Sequence, residues 1–212
     1  MRAAIVGGGA IGSPLAMQLA HDPVIEELRV IDADRIALSN LPRQPWFNET
    51  DIGDFKAECL VRYAPERLTA RVEALTNDNA ARLLAGCDIV FDASDNWPAR
   101  MAIQQWSFQT GAPWIFASAL RAEGMSALLS PKTQCLFCLF GTLQQGPRCF
   151  EAGVLGTLTL AVAGQAVTLW ELWREHPDDV QYWPQGLFLV DGVQGAVTKI
   201  GMKAVQCTHG AR

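Results

Sequence analysis

No run of lysine or arginine occurs anywhere in the 212 residues, and the formal net charge is −5. Binding a nucleic-acid backbone needs clustered cations, so that class of partner is excluded first. A secretion signal is missing too: Arg2 precedes an apolar stretch, but the consecutive Gly7, Gly8 and Gly9 break it. The chain is therefore read as cytoplasmic. It has no low-complexity tract and no internal repeat, and with 50% hydrophobic residues it can bury a full core. One apolar stretch, residues 153–173, is long enough to consider as a membrane span. Gln165, Glu171 and the interspersed threonines and glycines favour a buried helix, so no membrane is expected. The six cysteines (Cys59, Cys87, Cys135, Cys138, Cys149 and Cys207) lack the export context in which disulfides persist. Metal binding or thiol reactivity remains as their chemistry.

What is present begins with a glycine-rich turn. Residues 3–6 form a short apolar strand that runs into Gly7-Gly8-Gly9-Ala10-Ile11-Gly12, and residues 13–20 read as a helix. A second strand, 28–31, ends at Asp32. GxGxxG between a strand and a helix, with an acid after the next strand, is a nucleotide-binding pattern. Gly7, Gly9 and Gly12 let backbone approach phosphate, the helix start offers free N–H groups, and the Asp32 carboxylate accepts ribose hydroxyls. Further apolar strands at 88–91, 114–117 and 127–129, with a helix at 76–85, predict an α/β, Rossmann-like fold. Its sheet is mostly parallel with helices on both faces. Residues 186–190 and 196–200 flank a glycine-containing turn and predict antiparallel C-terminal strands. Ligands of such sheets sit at the carboxyl ends of the strands, so Gly7, Asp32 and Asp95 are expected at one crevice.

Residues 32–56 are too polar for core. Asp32 and Asp34 open the segment, and Asn40, Arg43, Gln44 and Lys56 follow within a short span. A solvated loop is the plain explanation, but arginine and lysine together suit a triphosphate, the first by bidentate contact and the second as a compact charge. The segment points to ATP over a dinucleotide. Cys135 and Cys138 form a CxxC pair in a loop-like context, a spacing at which two thiolates share one zinc ion. Cys59 and Cys87 have no partner pattern and read as packing residues.

These motifs resemble the ThiF/MoeB/HesA family, bacterial relatives of ubiquitin-activating enzymes. The resemblance rests on the glycine turn, Asp32-Ala33-Asp34, Ser39-Asn40-Leu41-Pro42-Arg43-Gln44, Asp51-Ile52-Gly53 with Lys56, and Asp92-Ala93-Ser94-Asp95-Asn96 with Arg100. Cys135-Leu136-Phe137-Cys138 and the run from Cys149 to Gly156 complete it, in the family's order. It implies a single adenylation domain over residues 1–212, with a nucleotide-binding half (1–130) and a second half (131–212) holding the CxxC segment, a crossover loop, a helix and the last strands. It implies that Asp32 binds the ribose of ATP with Asp34 among the cofactor-binding residues, that Asn40, Arg43, Gln44 and Lys56 hold the phosphates and orient the attack, and that Asp95 binds magnesium. The implied reaction is adenylation of the C-terminal glycine carboxylate of a ubiquitin-like sulfur-carrier protein ending in Gly-Gly, as in thiamine thiazole or molybdopterin sulfur transfer. A homodimer and a sulfur-donor protein are the further implied partners. Cys149 matches the family cysteine of persulfide or thioester chemistry, or is a buried inert thiol.

Two departures from the family pattern stand out. A second CxxC is replaced by Cys207-Thr208-His209; either His209 completes a three-sulfur, one-nitrogen zinc site with Cys135, Cys138 and Cys207, or no zinc is held. The family's N-terminal helix, whose arginine reaches the neighbouring ATP site, has no counterpart before residue 2; either another cation replaces it, with Arg121 and Arg148 as candidates, or catalysis is slower or absent. Adenylation of a small-molecule or peptide carboxylate, or a non-catalytic binding module of the same fold, are the alternatives.

Overall fold

The computed structural model describes residues 1–141, 153–201, 207 and 209. One eight-stranded sheet runs through them in the order β3-β2-β1-β4-β5-β6-β7-β8. The parallel part comprises β1 (Arg2–Val6), β2 (Glu27–Ile31), β3 (Leu68–Arg71), β4 (Ile89–Asp92) and β5 (Trp114–Leu120). β6 (Glu123–Leu129), β7 (Leu187–Asp191) and β8 (Ala196–Ile200) continue it antiparallel. The expected class, a Rossmann-like sheet with antiparallel C-terminal strands, is the observed one. β3 went unforeseen because Leu-Thr-Ala-Arg buries only Leu68 and so carries almost no apolar signal.

The helices are α1 (Gly12–Leu19), α2 (Lys56–Val61), α3 (Asn77–Leu83), α4 (Trp97–Thr110), α5 (Leu136–Phe140) and α6 (Gly156–Arg174). Strand side chains alternate between two apolar layers, as a pleated strand buried on both faces requires. Ala3 and Ile5 join Phe91, Ile115 and the helices α1, α2 and α6; Ala4 and Val6 join Val90, Trp114, Phe116 and the helices α3, α4 and α5. α6 is the stretch that resembled a membrane span. Its buried residues, among them Leu158, Val162, Ala166, Leu169, Trp170 and Trp173, recur at helical spacing and lie on β5, β6 and α1. Each large side chain so buried contributes about 1.5–3 kcal/mol. Among the described residues no helix is long and apolar enough to cross a membrane.

Two terminations shape the site. β1 ends at Gly7, whose φ of 95° and whose 2.6 Å gap from a would-be Cβ to the Ala93 carbonyl oxygen admit only glycine. Gly12 then packs so tightly that a Cβ there would lie 1.7 Å from the Gly7 carbonyl oxygen. The chain can therefore turn from β1 into α1 within a few residues. At the β4 end, Asn96 accepts the Ala99 N–H at 3.0 Å and starts α4, which stops at Gly111 in the left-handed conformation.

Candidate active site

β1 and β4 are neighbours whose chain continuations leave in opposite directions, and ligands of open α/β sheets bind outside the strand ends at such a switch point. A cavity of about 310 Å³ lies there. Gly7, Gly9, Asp32, Asp34 and Asp95 line it, and so do Asn40, Arg43, Gln44 and Lys56. Gly12 does not: its place is under the turn.

Each polar side chain has a local reason for its position. Asp32 is half-buried at the end of β2. One carboxylate oxygen accepts the Gly8 N–H at 2.6 Å and the other the Asp34 N–H at 2.6 Å, so the acid fixes the glycine turn as well as facing the cavity. Burial raises its pKa, opposed by the Lys56 charge and the two N–H groups. Lys56 begins α2, is 6% exposed, and donates to Asp34 Oδ2 at 2.8 Å. Asp34 itself is largely exposed, so the lysine is held by a partner that can swing into solvent. Residues 38–43 form a 3-10 turn, closed by Asn40 Oδ1 accepting the Ala37 N–H at 3.0 Å. Arg43, at its end, donates to the Ser39 carbonyl at 2.6 Å. Gln44 is buried, and among the described residues its Oε1 has no hydrogen-bond partner, an open acceptor beside the glycine turn.

Several lining residues were not anticipated. Glu73, Ala74 and Leu75 enter through the unforeseen β3, whose carboxyl end they follow. Ser118 comes from β5 and Thr159 from α6. Arg100 lines the cavity as well, from α4. The signal for it was available: Asp92 closes a wholly buried strand and needs a cation, and Arg100 is the nearest one in sequence.

The cysteine pair is placed differently from the expected loop. Cys135 caps α5 and Cys138 lies in that helix, which Gln104 of α4 anchors by accepting the Leu136 N–H at 2.8 Å. Their sulfurs are 3.7 Å apart, and His209 Nδ1 lies 3.4 Å from Cys135, 3.5 Å from Cys138 and 3.7 Å from Cys207. A tetrahedral zinc ion with sulfur at about 2.3 Å and nitrogen at about 2.0 Å sets ligand separations of about 3.8 Å and 3.5 Å. The four ligand atoms thus fit one such ion, and none of the four residues lines the cavity described above. Burial and the neighbouring thiols push the Cys135 thiol up to about 12, so a metal must displace its proton. Cys59 and Cys87 are buried, as expected of packing residues, and desolvation raises both thiols, Cys87 to about 11.

Cys149 and Arg148 lie outside the described residues. Arg121, the other candidate cation, sits in the β5–β6 turn with φ 54° and does not line the cavity. Its backbone N–H instead donates to the Gly153 carbonyl, and its carbonyl accepts the Leu155 N–H, which seats the start of α6.

The match to known sequences settles the lineage. The ThiF family profile covers residues 1–200. The chain belongs to the ThiF family. The SAMP-activating enzyme E1 of Haloferax volcanii is 35% identical over 168 residues, covering 74% of this chain and 61% of the relative. The sulfur carrier protein adenylyltransferase of Thermus thermophilus is 35% identical over 179 residues, covering 74% of this chain and 63% of the relative. The chain thus spans about three fifths of these relatives' length. A crystal structure of Escherichia coli MccB with ATP superposes with a TM-score of 0.80 over 100% of this chain and 67% of that one, at 18% identity, which shows the shared fold.

Proposed function

We propose that this ThiF-family chain is an ATP-dependent adenylyltransferase that activates the C-terminal glycine of a ubiquitin-like sulfur-carrier protein. The observation that carries the reading is the cavity's composition: Arg43, Lys56 and the Asp95 carboxylate share one space with the glycine turn. Two cations exceed what a pyrophosphate linkage needs and suit a triphosphate. The relatives named for sulfur-carrier adenylation support the substrate class.

In this reading Asp32 accepts the ribose hydroxyls, and the glycine turn and α1 start face the phosphates. Arg43 and Lys56 neutralise the β- and γ-phosphates, with Lys56 exchanging Asp34 for phosphate oxygen. The Gln44 carbonyl oxygen serves as an acceptor for a group at the turn. A carrier carboxylate oxygen then attacks the α-phosphorus, a new P–O bond forms, and the bond to the β-bridging oxygen breaks. Pyrophosphate leaves with that electron pair, giving the acyl-adenylate. The nucleophile is already an anion, so the site's task is charge neutralisation and in-line placement. Asp95, a hard oxygen donor exposed to the cavity, fits magnesium, which binds through one or two carboxylates plus phosphates; when bound it would neutralise charge at the reacting phosphate.

The rest of the reading includes zinc on Cys135, Cys138, Cys207 and His209, a cytoplasmic homodimer, and a sulfur donor acting after activation. Mass spectrometry of a Gly-Gly-ended carrier mixed with protein and ATP tests the central step. The carrier should gain one adenylate at its C-terminus, and the gain should vanish with Asp95→Ala. A carrier that stays unmodified while a small carboxylic acid is adenylated would move the substrate elsewhere.

A further inference from the structure

The Asp92–Arg100 pair is used by nothing in the mechanism above, yet it is an expensive thing to bury. Asp92 is 0% exposed and Arg100 is 9% exposed. A buried ion pair recovers its desolvation cost only with good geometry and further hydrogen bonds. Those bonds converge on one residue. Asp92 Oδ1 accepts both the Ser94 N–H, at 3.0 Å, and the Ser94 hydroxyl, at 2.6 Å. Asp92 Oδ2 faces Arg100 Nε at 3.3 Å. Arg100 Nη2 donates to the Ser94 carbonyl at 2.8 Å and reaches Ser118 Oγ at 3.4 Å. Ser94 is therefore held by its N–H, its hydroxyl and its carbonyl, and the next residue is Asp95.

The arginine is itself immobilised. Its guanidinium lies between the Trp97 and Phe116 rings, 5.3 and 5.1 Å from their centroids. On the far side of Asp95, the Asn96 side chain is fixed as the α4 cap. Asp95, exposed in the cavity, is thus a carboxylate whose two chain neighbours are both tied down. A pair serving only as a core staple has no need to grip the residue before it three times.

We propose that Arg100 is a positioning residue: by holding the Ser94 carbonyl while Asp92 holds the Ser94 N–H and hydroxyl, it aims the Asp95 carboxylate at a divalent cation on the nucleotide. This rests on the functional reading that Asp95 takes the cation of magnesium-ATP. Lysine at position 100 keeps a charge for Asp92 but has no planar fork to reach Ser94 and Ser118 together.

The test is calorimetric titration of the full chain with ATP, once in EDTA and once in excess magnesium, for the wild type, Arg100→Lys, Asp95→Asn and the double variant. Groups that orient a metal ligand typically change metal affinity tenfold or more, so Arg100→Lys should lose about tenfold of the magnesium-dependent gain. Its affinity for ATP in EDTA should hold. The double variant should lose no more than Asp95→Asn alone, because both act through one carboxylate. Ser94→Ala, which frees the same segment from the Asp92 side, should show a loss of the same kind and carries the test if Arg100→Lys fails to fold. Losses that add in the double variant, equal losses with and without magnesium, or a wild-type response in the folded variants would overturn the proposal. A wild-type protein that binds no ATP would instead overturn the functional reading itself.

Discussion

Asp32 carries two jobs that pull its charge in opposite directions. Both its oxygens accept backbone N–H groups that hold the glycine turn, while burial disfavours the ionised form and raises its pKa above the ordinary 3.8. A carboxyl with a raised folded pKa binds its proton more readily in the native state than in the unfolded one. The stability that Asp32 itself contributes therefore falls as pH rises from 3.8 through the raised value, and is level above it. Ligand binding should run the other way, since ribose hydroxyls need the ionised acceptor. With adenosine as the probe, which has no phosphates to titrate, affinity should fall as pH drops below the raised value, and Asp32→Asn should remove that dependence. Affinity that stays flat down to pH 3.8 in the wild type would contradict the assignment.

At the scale of elements, α1 and α6 are joined by a polar contact beside their apolar packing. Asp22, just past α1, accepts the Trp170 Nε1–H at 2.8 Å and the Arg174 guanidinium at 2.7 Å. Asp22→Ala would leave the buried indole N–H without a partner, at a cost of about 1–3 kcal/mol. In a domain of this size that is a fall of about 2–4 °C in Tm per kcal/mol. A melting curve unchanged from wild type would show that the joint adds nothing. The cluster of Cys135, Cys138, Cys207 and His209, which fits a metal ion, joins α5 to residues 207 and 209. Purified protein should hold one zinc per chain by atomic absorption, and His209→Ala or acidification should release it, since protons compete for the thiolates. Full zinc occupancy in His209→Ala would remove the histidine from the ligand set.

These elements differ in how far they could be read from the chain. β1, β4 and the apolar helix α6 are legible because burial on both faces, or along one continuous stripe, leaves an apolar signature, and β2 through Leu28, Val30 and Ile31 despite Arg29. β3 was not, since a short edge strand buries one residue in four. α4 was not, since Arg100, Gln104 and Ser107 are buried polar residues that blur its helical period. The same holds within the site. Asp32, Arg43, Lys56 and Asp95 announce themselves as charges at spaced positions, whereas Ser118 and Thr159 reach the cavity only through the sheet order and the seating of α6. The four zinc-type ligands were legible as residues, but only the fold brings positions 135–138 and 207–209 together.

For the whole molecule, the parallel half of the sheet collects the cavity-lining groups at one end, and the antiparallel half with α5 and residues 207 and 209 holds the metal-type cluster. The two centres share α4: its first turn follows Asn96 beside Asp95, and its Gln104 anchors the CxxC helix. In the proposed reading the first centre does the chemistry and the second holds structure. Removing zinc should lower thermal stability more than it lowers nucleotide affinity. The central claim concerns the first centre and is tested most directly by ATP–pyrophosphate exchange. Labelled pyrophosphate should enter ATP only when a carrier with an intact Gly-Gly terminus is present, and Asp95→Ala should abolish the exchange. Exchange that proceeds without such a carrier, or that survives Asp95→Ala undiminished, would contradict it.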